Sequence, residues 1–187
     1  MEVLEVNNLK KIYTTRFGGN KVEALHDINF SVEQGEYVAI MGESGSGKTT
    51  LLNILAAVDR PTSGDIFLNG KNTTAIKDDM LAKFRREHLG FVFQDFNLLD
   101  TFSIEDNIYL PLVLAGKEYK DMKQELDVIA GKLGISHILH KYPYEVSGGP
   151  KQRTAVARAI ITKPDILLAD EPTGNLDKKT TQSVMEL

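Results

Sequence analysis

Cysteine is absent from all 187 residues. Disulfides, thiolate metal sites and cysteine nucleophiles are therefore excluded. A basic excess is absent as well: 22 Lys and Arg against 26 Asp and Glu leave a net charge of −4. No charge pattern invites nucleic acid or an anionic membrane surface. No apolar run approaches the roughly 20 residues that span a bilayer. The longest, around Ile108 to Ala115, is interrupted by Pro111. The opening Met1-Glu2-Val3-Leu4-Glu5 lacks a basic segment followed by an apolar one, so no signal peptide is expected. Any membrane role works through a partner. What is present is ordinary for a globular domain, with 42% hydrophobic and 26% charged residues, and the length predicts a single domain.

The chain changes character along its length. Val3, Leu4 and Val6, then Leu25, Ile28, Phe30 and Val32, predict strands at the start, with a polar loop from Thr14 to Lys21 between them. Tyr37-Val38-Ala39-Ile40-Met41 predicts a short buried strand stopped by Gly42. A helix is expected from Lys48 to about Val58, then a turn at Pro61, Ser63 and Gly64, then a strand from Asp65 to Leu68. Helical spacing follows over Ile104 to Leu114 and Tyr119 to Leu133, where Leu126, Ile129, Ala130 and Leu133 share a face. Another helix is expected over Lys151 to Ile161, a buried strand over Ile166 to Ala169, and a final helix over Thr180 to Leu187. Strands, then α/β, then a helical block, then α/β again imply an α/β fold with a mostly parallel sheet.

Gly42-Glu43-Ser44-Gly45-Ser46-Gly47-Lys48-Thr49 fits the phosphate-loop pattern in full. Its glycines let the backbone curl so that N–H groups converge on phosphate oxygens. The helix that follows adds its positive N-terminal end. Lys48 suits the β- and γ-phosphates, and the Thr49 hydroxyl suits Mg²⁺. Asp170-Glu171 ends the Ile166 to Ala169 strand, at the edge where open α/β sheets bind ligands. Asp170 is the candidate Mg²⁺ ligand and Glu171 the candidate base for an attacking water. His26, His88, His137 and His140 follow no metal-ligand spacing and read as structural or exposed.

Ser147-Gly148-Gly149, with Lys151-Gln152-Arg153 and Ala155-Val156-Ala157-Arg158-Ala159 behind it, resembles the signature of ABC-type transport ATPases. Ile166 to Thr173 resembles that family's Walker B segment, and Gly174-Asn175-Leu176-Asp177 its D-loop. Gln94, after Gly90-Phe91-Val92-Phe93, falls where the family has its Q-loop. Tyr13 falls where an aromatic ring stacks on adenine. The resemblance covers the whole chain. It implies a P-loop NTPase fold: a RecA-like, mostly parallel sheet, an N-terminal antiparallel β subdomain and an inserted helical subdomain at about 95–160. Leu51 to Leu55, Arg60-Pro61-Thr62-Ser63-Gly64 and Gly174 to Asp177 look most like the subgroup serving lipoprotein release, macrolide export and bacitracin-type antimicrobial-peptide resistance.

The implied mechanism is ATP-driven pairing of two such subunits, a homodimer, on transmembrane permease subunits at the cytoplasmic face of the membrane, with no nucleic acid involved. ATP would sit on Gly42, Ser44, Gly45, Ser46, Gly47, Lys48, Thr49 and Thr50, against Tyr13. The opposite subunit would cap it with Ser147, Gly148, Gly149 and Asp177. Thr49, Gln94 and Asp170 would hold Mg²⁺, and Glu171, Lys48 and Gln94 would carry hydrolysis. The alternatives are an ABC ATPase driving a mechanical or signalling partner, a metabolic P-loop kinase, and a nucleotide-binding fragment without turnover.

Two departures from the family stand out. Pro150 occupies the signature position that is usually Gln; near a helix start its missing N–H should be tolerated. The family's switch histidine lies downstream of the Walker B glutamate, whereas every histidine here precedes Glu171. The resemblance thus implies a longer natural protein, and for this chain a gap between the strands ending at Gly42 and Asp170.

Overall fold

A computed structural model describes residues 1–14, 19–172 and 174. The chain divides into two compact units, Met1–Arg85 and Arg86–Leu187.

The first unit is built on an antiparallel sheet in the order β2-β1-β3-β4. Its strands are β1 (Glu2–Thr14), β2 (Lys21–Glu33), β3 (Ser63–Leu68) and β4 (Lys71–Asn72). The central strand β1 buries Val3, Leu4, Val6 and Leu9, and β3 adds Ile66 and Leu68. Helix α1 (Lys48–Leu55) buries Leu51, Leu52, Ile54 and Leu55. It ends earlier than the apolar spacing predicts. The chain turns back on Asn53, whose carbonyl accepts from the N–H groups of both Val58 and Asp59. Gly64 has φ 93 and lies against the carbonyls of Asn7 and Asn8. Only a residue without Cβ permits that approach.

The run Tyr37–Met41 differs from expectation. It forms no ladder, and Tyr37 and Met41 are 79% and 89% exposed. An apolar run becomes a strand only where a neighbour completes its hydrogen bonds, and no described residue pairs with this one. Helix α2 (Asp78–His88) was not anticipated. It buries only Phe84, so its apolar periodicity is too thin to stand out.

The second unit pairs β5 (Leu89–Val92) with β6 (Ile166–Ala169) in parallel, with Val92 opposite Ala169. Helices α3 (Ile104–Leu114), α4 (Tyr119–Lys132) and α5 (Gly148–Ile160) surround one core. Ile104, Ile108, Leu112, Leu126, Ala130, Ile135, Ala157 and Ile161 are nearly or fully buried there. Ser103 and Asp106 close a reciprocal capping box at the start of α3. Inside that helix buried Asn107 donates to the carbonyls of Leu99, Phe102 and Ser103 and accepts from the Leu99 N–H. One amide thus anchors the whole loop before α3. On the predicted face of α4, Leu126 and Ala130 are buried, Leu133 is buried just beyond the helix and Ile129 is partly buried; Met122 is buried as well. Pro150 takes the third helical position of α5, after Ser147 as N-cap. That is a first-turn position, where an N–H has no intrahelical acceptor, so α5 forms in spite of it.

On α4, Glu125 receives hydrogen bonds from Lys117 and Lys163, each at 3.1 Å. Partial burial pushes its carboxyl up, but the two ammonium groups outweigh that and hold it below its ordinary value of 4.5. A depressed carboxylate stabilises the fold above its unfolded value, and that contribution disappears as the pH falls through the folded value. Both lysines are substantially exposed, so the effect is small. Glu125→Gln should cost about 0.5 kcal/mol near pH 7. Urea titrations below the glutamate range should show no difference from the parent.

Candidate nucleotide site

In the first unit the phosphate loop runs from Gly42 into α1. Gly45 and Gly47 have φ 81 and 91, a left-handed backbone that glycine adopts without strain. At Gly47 there is a second constraint. A Cβ there would overlap the Ala24 carbonyl oxygen and fall 3.0 Å from Leu25 Cδ2. The turn is closed by the Ser46 N–H donating to Glu43 O at 3.2 Å. Lys48 Nζ donates to the carbonyls of Gly42 and Glu43, each at 2.8 Å. The amine is thereby held beside the loop rather than swung into solvent. Lys48, Thr49 and Thr50 form the first turn of α1. Their N–H groups have no intrahelical acceptor and carry the positive end of the helix. Loop, amine and helix end together suit an anion.

Tyr13 lies near the end of β1 and is 42% exposed. Its hydroxyl donates to Asp59 Oδ2 at 2.9 Å, and Lys11 Nζ stands 4.8 Å from its ring centroid.

In the second unit the parallel pair β5–β6 brings Gln94, Asp170 and Glu171 to the C-terminal strand ends. The Asp170 N–H extends the ladder to Val92 O at 3.0 Å. Gln94 Nε2 donates to Glu171 Oε2 at 3.0 Å. Glu171 has φ 42 and precedes Pro172, a combination unfavourable for a side-chain-bearing residue. The strained backbone sets where its carboxylate points. Ser147 is the N-cap of α5, yet its side chain makes no capping hydrogen bond, although serine usually caps. The N–H groups of Gly148 and Gly149 open the helix behind it. Asp177 lies outside the described residues, as does the helix expected over Thr180 to Leu187.

Some residues beyond the motifs organise this unit. Arg158, half-buried on α5, donates to Asn97 O at 2.6 Å and Phe96 O at 2.8 Å. Phe96 and Asn97 both have positive φ, 61 and 46, so one guanidinium pins the strained loop after Gln94. Burial lowers its pKa. Gln152, fully buried, donates to Pro172 O and links α5 to the turn after Glu171. An arginine and a glutamine inside an alanine-rich helix are visible in the sequence; their targets are not. A cavity of about 290 Å³ opens beside Arg158, lined by Leu89, Phe91 and Phe93 together with Leu110, Pro111 and Leu114 of α3.

The donors suit a nucleotide with Mg²⁺. Thr49 at the start of α1 in the first unit, and Gln94 and Asp170 at the strand ends of the second, each carry a side-chain oxygen, the donor type a small hard cation requires. Among the described residues no group of three His, Cys, Asp or Glu could hold a metal ion. Three of the four histidines have carboxylate partners: His26 pairs with Glu23, His88 with Asp165 and His140 with Glu105. Among the described residues no helix is long and apolar enough to cross a membrane.

Comparison with known proteins agrees. The family model described as ABC transporter matches residues 25–174. The ABC transporter ATP-binding protein YxdL of Bacillus subtilis (strain 168) is 56% identical over 184 residues, covering 98% of this chain and 70% of that protein. The bacitracin export ATP-binding protein BceA of Halalkalibacterium halodurans is 48% identical, covering 99% and 72%. Among solved structures, the dimeric structure of MJ0796, a bacterial ABC transporter cassette, superposes with a TM-score of 0.87 at 36% identity, covering 98% of this chain and 80% of that one. The same cassette is also known as a dimer in a post-hydrolysis state bound to ADP and Pi, with the same score and identity.

Proposed function

This chain belongs to the ABC transporter family as an ATP-binding and ATP-hydrolysing subunit, and from that premise we propose how its own residues do the work. The observation that carries the proposal is the phosphate loop, with Lys48 Nζ held 2.8 Å from two loop carbonyls at the start of α1. The backbone of Gly42 to Thr50 binds the triphosphate, Lys48 neutralises its outer phosphates and Tyr13 stacks on the adenine. Thr49, Asp170 and Gln94 would each offer Mg²⁺ an oxygen, and the ion would offset phosphate charge. Glu171 orients the attacking water and takes its proton. The Gln94 amide, 3.0 Å from Glu171 Oε2, holds that carboxylate in place.

The second half of the site comes from a second copy. Ser147, whose hydroxyl does not cap its own helix, and the N–H groups of Gly148 and Gly149 suit the outer phosphate of the opposing subunit. Asp177 is assigned to the same interface. The γ-phosphate then favours the closed pair, and its loss by hydrolysis reopens it.

The permease docks on the helical subdomain, at about 95–160 within one ATPase domain. The apolar cavity between β5 and α3 suits a helix from such a partner, with Leu114 63% exposed at its edge. Phe93 lines that cavity beside Gln94, and Arg158 fixes the loop that follows. A helix seated there therefore acts on the residue that holds Glu171. The transporter works from the cytoplasmic face, where ATP is. Similarity to BceA supports a lipophilic cargo exported or extracted from the membrane, such as a peptide antibiotic.

Light scattering tests the pairing. Glu171→Gln should shift from monomer to dimer mass on adding Mg·ATP. A protein that binds ATP and remains monomeric would exclude the paired site.

A further inference from the structure

Lys11 and Tyr13 are two residues apart on β1 and therefore share one face of the sheet. Asp59 meets both of them. One of its oxygens accepts from Lys11 Nζ at 2.7 Å and the other from the Tyr13 hydroxyl at 2.9 Å. The Arg60 N–H adds a third bond at 2.7 Å. Lys11 also donates to Arg60 O at 2.7 Å, and its side chain is only 12% exposed. Neither the lysine nor the carboxylate belongs to any phosphate-binding motif, and Asp59 is separated from Tyr13 by 46 positions.

The placement of Asp59 gives this cluster its meaning. It sits in the turn that leaves α1, with its N–H on Asn53 O. The other end of α1 is the phosphate loop. Eight residues of helix span about 12 Å, so α1 is a rigid ruler between the phosphate cradle and the Tyr13 hydroxyl. Lys11 stands over one face of the Tyr13 ring, where a cation is attracted to the π-system. A planar base can then stack only on the opposite face. The carboxylate stays charged near neutrality. Burial pushes it up, but the bonds from Lys11, Tyr13 and the Arg60 N–H hold it below its ordinary value of 3.8.

We infer that Asp59 and Lys11 are positioning residues for the nucleotide base: they lock the Tyr13 ring at a set distance from the phosphate loop, with one face covered by the ammonium group and the other presented to the purine. The inference rests on the proposed stacking role of Tyr13. A ring ordered before binding does not have to be ordered by the ligand, which raises affinity. The gain belongs to the base alone, because nothing in the cluster reaches the phosphates.

Equilibrium binding of ATP and of inorganic triphosphate, by calorimetry on the full chain, separates these contributions. Tyr13→Ala should weaken ATP about fivefold or more and leave triphosphate unchanged. Asp59→Ala should weaken ATP about two- to tenfold, also without effect on triphosphate. In the Tyr13→Ala background it should add nothing. Asp59→Asn, which keeps an acceptor for the phenol, should recover most of the loss and covers the case in which the alanine variant folds poorly. Tyr13→Phe should match Asp59→Ala. Equal losses for ATP and triphosphate in a folded Asp59→Asn or Asp59→Ala protein would overturn the positioning role, as would additivity with Tyr13→Ala. If Tyr13→Ala weakens ATP and the Asp59 variants do not, the stacking reading survives and the positioning role falls. If Tyr13→Ala leaves ATP unchanged, both fall.

Discussion

Glu171→Gln should slow ATP hydrolysis by about 10²–10⁴-fold while leaving ATP affinity within about twofold of the parent. The substitution is isosteric. A glutamine carbonyl can still accept from Gln94 Nε2, which now stands 3.0 Å from Glu171 Oε2. The unusual backbone at φ 42 is no harder for glutamine than for glutamate. What disappears is the negative charge and with it the capacity to take a proton from water. A defect confined to the chemical step lowers kcat without touching ground-state binding. Single-turnover hydrolysis followed by quench, beside calorimetric binding of ATP, separates the two. Turnover close to the parent's would move the base to another residue. A matching loss of affinity would mean that Glu171 supports the binding site instead.

The parts of the fold that were legible share a property: their signal is local. The phosphate loop is a run of consecutive residues whose glycines answer backbone demands at their own positions, as Gly47 does at φ 91. The α3 and α4 faces repeat within a few turns, so Ile104–Leu114 and the Leu126–Ala130 stripe could be read by spacing. Legibility failed where a partner decides. Tyr37–Met41 has the composition of a buried strand, but a strand exists only with a ladder, and composition cannot supply one. Helix α2 has Asp78 and Asp79 in its first turn and a single buried Phe84, too little for a periodicity argument.

The candidate site divides the same way. The motifs name Lys48, Asp170 and Glu171 because each belongs to a short pattern. The residues that hold those side chains in place are contacts across long stretches of chain. Arg158 reaches Phe96 and Asn97 over about 60 positions, and Gln152 reaches Pro172 over 20. Nothing local marks them beyond polarity in an alanine-rich helix.

Lys48→Ala should weaken ATP binding by about 10²-fold or more, from the loss of charge-assisted bonds worth about 1.5–3 kcal/mol each. The same amine has a second task in the folded chain, bridging the carbonyls of Gly42 and Glu43. Those bonds lie at an exposed surface, where water replaces them at little cost, so the melting temperature should move by only a degree or two. The separation is diagnostic, since a large affinity loss without a stability loss assigns Lys48 to the ligand. Lys48→Arg should fail almost as badly. A guanidinium is a broad planar fork, whereas the loop presents two carbonyls 2.8 Å from a compact ammonium. Calorimetry and thermal melts on both variants provide the check. An affinity within about threefold of the parent in Lys48→Ala would remove the lysine from the phosphate site and leave the loop backbone as its sole anion donor.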